Sequence, residues 1–213
     1  MKNHSGSLSG LYAITDQSRD AVSYAREALE GGASIVQLRG KHSSATKLLS
    51  EAIAIKRLCA VHGALFIVND SVELAKLSGA NGVHLGAEDQ SAETAREILG
   101  KDAIIGVSCY GDLERSIKAQ EGGADYVAFG ACFASDTKKE AKVINLSIIE
   151  SAAERLSIPI CAIGGITGQN AALALERGAN MIAVVGALLN DTERNARRLT
   201  KVIETYIARQ YGV

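Results

Sequence analysis

Eight short runs rich in Val and Ile alternate along this chain with longer stretches of helical periodicity, and that alternation narrows its fold more than any other feature. The runs are Leu11–Thr15, Ser34–Leu38, Leu65–Val68, Gly82–Leu85, Ile104–Val107, Tyr126–Phe129, Ile160–Ile163 and Ile182–Val185. Most are apolar at successive positions, as strands covered on both faces must be, and such strands belong to parallel sheets flanked by helices. Between them lie amphipathic segments such as Ala45–Val61 and Ala92–Leu99, with apolar residues three and four apart. Gly31, Gly63, Gly79, Gly100, Gly122 and Gly178 stand where helix C-caps belong. The single proline, Pro159, stands at a strand start, where a missing N–H is tolerated.

Eight βα units favour a closed barrel over an open sheet. The expected architecture is an α/β fold, a single (β/α)8 TIM barrel over residues 1–213, with residues 1–9 a flexible N-terminal tail. A chain of 213 residues lies near the ~200-residue lower edge of that fold, leaving little room for insertions or a second domain. Polar residues follow the strands with regularity: Asp16, Arg39, Asn69 with Asp70, Glu88 with Asp89, Ser108, and glycines Gly164 and Gly165. A barrel gathers all these positions at one mouth, whereas an open sheet would spread them along an edge.

A formal net charge of −1, with acids and bases mixed throughout, offers no footprint for nucleic acid or an anionic membrane. No segment approaches the ~20 apolar residues of a membrane span, and no apolar run of signal length follows Met1–Ser9. Cys59, Cys109, Cys132 and Cys161 form no CxxC pair, and His4, His42, His62 and His84 include no pair at ligand spacing, which argues against zinc. These features point to a cytoplasmic protein whose partners are small molecules, and they are compatible with a homo-oligomer. His84 lies in the fourth strand, where a hydrogen-bonded structural role is favoured.

Strand alternation puts Gln37 and Arg39 on one side, and Gly40 lets the chain turn so that Lys41 joins them. Two cations at a strand end make a receptor for a polyanion. Asn69-Asp70 and Glu88-Asp89 end adjacent strands, close enough for Asp70 and Asp89 to share Mg²⁺ with substrate phosphates; Glu88 competes with Asp89 for this role. Ser108 offers either a donor into the mouth or a helix cap. The segment Cys132–Val143, carrying Ser135, Asp136, Thr137, Lys138 and Lys139, has the length of a binding loop. Gly164-Gly165 and Val185-Gly186 follow the seventh and eighth strands, the place of the phosphate site common in this fold, ahead of a short helical piece at Ala187–Asn190. A cationic, metal-assisted site facing a neutral glycine site implies transfer between two phosphorylated substrates, with diphosphate leaving.

These residues resemble the thiamine phosphate synthase (thiamine-phosphate pyrophosphorylase) family. The likeness runs from Leu11–Asp16 through Gln37–Lys41, Asn69-Asp70, Val83–Asp89, Gly106–Ser108, Thr137-Lys138 and Ala162–Ile166. It implies a transferase that joins an aminopyrimidine diphosphate to a thiazole phosphate by dissociative substitution. It implies that the run Gln37, Leu38, Arg39, Gly40 and Lys41, together with Asn69, Ser108 and Lys138, holds the pyrimidine diphosphate. Arg39, Lys41, Ser108 and Lys138 would serve the chemistry, and Asp70 and Asp89 would bind Mg²⁺. Ser135, Asp136, Thr137, Gly165, Val185 and Gly186 would hold the thiazole phosphate. The chain departs from the family pattern at Ala134-Ser135, where the family has a proline and a threonine. It departs again at Gly186, in place of a serine, and at Ser71, in place of an arginine. A thiazole tautomerase and a non-catalytic sensor of phosphate ligands are the alternative readings.

Overall fold

A computed structural model of the chain describes residues 8–40, 44–135 and 142–212. Its elements are β1 (Gly10–Ile14), α1 (Ala21–Glu30), β2 (Ile35–Leu38), α2 (Ala45–His62), β3 (Leu65–Asn69), α3 (Val72–Ser78), β4 (Gly82–Leu85) and α4 (Ala92–Leu99). They continue with β5 (Ile104–Tyr110), α5 (Leu113–Glu121), β6 (Tyr126–Phe129), α6 (Ser147–Arg155), β7 (Ile160–Ile163), α7 (Ala171–Glu176), β8 (Met181–Val184) and α8 (Thr192–Tyr211). Every strand pairs in parallel with its neighbours in chain order, and β8 returns to β1, so the sheet closes into the expected TIM barrel.

Closure explains why the strands read as apolar throughout. Side chains alternate across a strand, so each run serves two cores. Leu11 and Ala13 of β1, with Phe66 and Val68 of β3, belong to the outer layer between sheet and helices. Tyr12 and Ile14, with Leu65 and Ile67, fill the barrel interior beside Ile35, Ile104, Tyr126 and Met181. Leu8 also packs against this inner cluster.

Helix starts are set by side chains that accept a backbone N–H three residues on: Asp20 from Ser23, Ser44 from Lys47, Ser71 from Leu74, Ser91 from Thr94, Asp112 from Arg115 and Asp191 from Arg194. Ser71 caps α3 and Asp112 caps α5, so the polar residues ending β3 and β5 are not helix caps. Strand β5 extends past Val107 to Tyr110, with a register shift against β6 between Ser108 and Tyr110. It does so because Cys109 is fully buried in the outer layer and Ser108 finds a partner on β4. The piece after β8 is a 3-10 turn at Gly186–Leu188, one residue earlier than expected, and Gly178 lies one residue beyond Arg177, the C-cap of α7.

Candidate active site

The C-terminal ends of the strands surround a cavity of about 1840 Å³. Pockets for a single drug-sized ligand span roughly 300–1,000 Å³, so this one is large for a single small molecule. Gln37, Arg39, Asn69 and Ser108 line one part of it, and Ser135, Gly165, Val185 and Gly186 line another. Gln37 is buried at 2% exposure, and Thr15, itself buried, accepts the Arg39 N–H through its hydroxyl at 2.9 Å. Thr15 thus fixes the backbone from which Arg39 reaches the mouth. Leu38 is buried in the outer layer, so only its backbone is available to a ligand. Lys41, Asp136, Thr137 and Lys138 lie outside the described residues.

Asp70 and Asp89 share a second, smaller cavity of about 490 Å³, with Glu73, Lys76 and Glu88 on its walls. Asn69 faces the large cavity while Asp70 faces the small one, so one dipeptide spans both. Asp89 is half-buried and accepts the Gly86 N–H through Oδ2 at 2.7 Å, whereas Glu88 is exposed. Of these two acids, Asp89 is the one held by a backbone donor. Among the described residues no group of three His, Cys, Asp or Glu side chains gathers for a metal. Two carboxylate-bearing residues on one wall suit a hard cation that completes its shell with water and phosphate oxygens.

The residues around the end of β7 are held by the backbone. Cys132 and Phe133 donate their N–H groups to the Ile163 and Gly164 carbonyls, both at 2.9 Å, and this carries Ser135 to the end of β7. Gly165 has φ +64, and a Cβ there would lie 2.4 Å from the Phe133 carbonyl oxygen, so only glycine fits. Asn170 donates to the Gly165 carbonyl at 3.0 Å.

The structure adds Tyr12, Tyr126 and Arg115 to the residues the sequence singled out. Across the floor of the large cavity, Gln37 Nε2 donates to Tyr12 Oη at 2.7 Å, and Tyr12 Oη lies 2.9 Å from Tyr126 Oη. Tyr126 Oη lies 2.9 Å from His84 Nδ1, and His84 Nε2 lies 2.9 Å from Ser108 Oγ. His84 therefore has the hydrogen-bonded role expected of it and also lines the mouth. Burial pushes its pKa down to about 4, against a smaller opposing pull from Asp89, so the ring is neutral at neutral pH. Burial also pushes both phenols up, keeping them protonated. Arg115 donates to the Ser108 carbonyl at 2.8 Å and the Gly86 carbonyl at 3.2 Å, tying the ends of β5 and β4 together beneath the Tyr110 ring. Among the described residues, the non-glycine residues with left-handed φ are Asp70 (+63), Tyr110 (+54) and Asn190 (+76), and each lines one of the two cavities. Strain of this kind persists where surrounding structure holds a functional conformation.

Residues 11–188 match the model of a family described as thiamine monophosphate synthase. A thiamine-phosphate synthase of Chromobacterium violaceum is 48% identical over 197 residues, covering 90% of this chain and 95% of that protein. Another, of Nitrosococcus oceani, is 45% identical over 196 residues, covering 90% of each. A solved thiamine phosphate pyrophosphorylase from Pyrococcus furiosus superposes with a TM-score of 0.87 at 36% identity, covering 97% of this chain and 98% of that one.

Proposed function

Since this chain belongs to the thiamine monophosphate synthase family, we propose that its barrel mouth transfers an aminopyrimidinylmethyl group from its diphosphate to a thiazole phosphate, giving thiamine phosphate and diphosphate. One observation supports this reading: Gln37, Arg39, Asn69 and Ser108, candidates for the pyrimidine diphosphate, line the same cavity as Ser135, Gly165, Val185 and Gly186, candidates for the thiazole phosphate. Direct transfer requires the two reacting atoms to be held together, and this proximity supplies much of the catalysis. A tautomerase acting on the thiazole alone needs only half of that cavity.

In this reading Arg39, Lys41 and Lys138 hold the diphosphate, and Gln37, Asn69 and Ser108 orient the pyrimidine beside it, with Leu38 and Gly40 contributing backbone. Asp70 and Asp89 would hold Mg²⁺, which when bound neutralises charge on the diphosphate. The bond from the methylene carbon to the diphosphate oxygen breaks, and its electron pair leaves with the diphosphate. The thiazole nitrogen then gives its lone pair to the methylene carbon, forming the new C–N bond. Cations aimed at the leaving oxygens stabilise the charge that builds there. No protein nucleophile takes part. Gly165, Val185, Gly186 and the Ser135 hydroxyl would meet the thiazole phosphate, a role the family resemblance also gives to Asp136 and Thr137. Gly186 offers its backbone N–H alone, one hydroxyl fewer than the family pattern supplies.

The test is direct. Purified protein supplied with both substrates and Mg²⁺ is expected to form thiamine phosphate and diphosphate in equal amounts. Tight binding of either phosphate without turnover would instead identify a sensor, and isomerisation of the thiazole alone would identify a tautomerase.

A further inference from the structure

The hydrogen-bonded row beneath the cavity has a direction. Gln37 Nε2 is a donor only, so Tyr12 Oη accepts from it at 2.7 Å. The Tyr12 proton then goes to Tyr126 Oη, 2.9 Å away, since both phenols are fully buried and each has one proton to place. The Tyr126 proton in turn goes to His84 Nδ1 at 2.9 Å. A neutral imidazole carries one proton, and with Nδ1 accepting, that proton sits on Nε2 and points to Ser108 Oγ at 2.9 Å. The Ser108 oxygen is thereby engaged as an acceptor on its inner side, and its own proton is left facing the cavity.

We infer that His84 is a positioning residue: held as its Nε2–H tautomer by the row from Gln37 through Tyr12 and Tyr126, it commits Ser108 to donate a hydrogen bond to the substrate. The inference rests on the synthase reading for the identity of that substrate, a diphosphate oxygen or a ring nitrogen being the acceptor class Ser108 would meet. The value of the row to the reaction is preorganisation, because a hydroxyl free to rotate would have to choose its direction each time substrate binds. Five strands contribute: Tyr12 from β1, Gln37 from β2, His84 from β4, Ser108 from β5 and Tyr126 from β6. Barrel closure alone brings them into one row.

Nitrogen NMR of the full chain labelled at histidine reads the tautomer without any turnover, with the His84 signals assigned from a His84→Gln variant. The expected result is one His84 species near neutral pH, with Nε2 protonated and Nδ1 bare. A second measurement uses Tyr126→Phe, which removes the donor to Nδ1 while conserving the ring. This variant is expected to show a mixture of tautomers and to lower kcat by about tenfold, the worth of one misdirected hydrogen bond to a charged group, with a smaller change in KM. An Nδ1–H tautomer in the wild-type protein overturns the inference, as does a Tyr126→Phe variant with wild-type kcat. His84→Gln, whose amide can still donate toward Ser108, is expected to retain more activity than His84→Leu; equal loss in the two also overturns it. If the NMR result holds but no thiamine phosphate is formed, the proposed function fails while the order of the row stands.

Discussion

Tyr126 occupies the space that Gly106 leaves open on the neighbouring strand: a Cβ on Gly106 would lie 2.0 Å from the Tyr126 ring. The barrel interior is filled in layers, and here one residue without a side chain admits another with a large one. The consequence extends to the site, because Tyr126 is the middle of the row that ends at Ser108.

Gly106→Ala therefore displaces Tyr126, and both stability and activity are expected to fall. Overpacking of this kind costs about 1–3 kcal/mol, read as a lower midpoint in urea unfolding. A variant as stable as wild type would mean that the ring is free to move aside.

Asp70→Ala and Asp89→Ala are each expected to lower turnover by about 100-fold and to flatten its dependence on Mg²⁺. Glu88→Ala, at an exposed acid on the same cavity wall, is expected to change both much less. Titrating Mg²⁺ against initial rate for the three variants separates the ligands from the bystander. Wild-type Mg²⁺ dependence in Asp70→Ala would overturn the metal assignment.

Gly165→Ala introduces a Cβ 2.5 Å from the Ala134 carbonyl oxygen at a residue with φ +64. The loop that carries Ser135 has to shift, so KM for the thiazole phosphate is expected to rise at least about tenfold. KM for the pyrimidine diphosphate is expected to change less, because Gln37 and Arg39 belong to β2 and the segment after it, not to the loop that Gly165 packs against. Equal effects on the two substrates would contradict the division of the cavity.

Acid is expected to weaken the fold through His84. Its folded pKa of about 4 lies below its ordinary 6.5, so between these values the unfolded chain binds a proton that the folded chain refuses. The stability tied to the neutral ring is complete above about pH 6.5 and is lost as pH falls through about 4. Unfolding free energies across this window are expected to slope less steeply in His84→Gln than in wild type.

The four cysteines are buried, and burial pushes Cys59 and Cys109 up to about 12 and Cys132 up to about 11, with Cys161 raised further. A thiol reagent at pH 8 is expected to leave the native protein unmodified and to titrate four thiols after denaturation. Rapid labelling of the native chain would show that one of them is accessible.

The eight-strand alternation, the helix stops at glycine and the polar residues at strand ends were all legible in the amino-acid sequence, because each depends on neighbours a few positions apart. Leu11 to Ile14 could be read as a strand buried on both faces, and Arg39, Asn69 and Ser108 as residues of the mouth, before any contact was known. Which polar group does what depended on tertiary structure. Asp112 takes the capping role that Ser108 could have had, and a Gly86 N–H holds Asp89 while Glu88 stays exposed. Tyr12 and Tyr126 stand 114 positions apart, and each alone resembles an ordinary apolar strand residue. Only closure of β8 onto β1 makes the interior where two phenols must satisfy each other, and only there does His84 acquire a fixed partner on each ring nitrogen. Local periodicity determined the barrel and the address of its site. The low-dielectric interior, where a buried polar group costs free energy unless it is paired, decided how that site is wired.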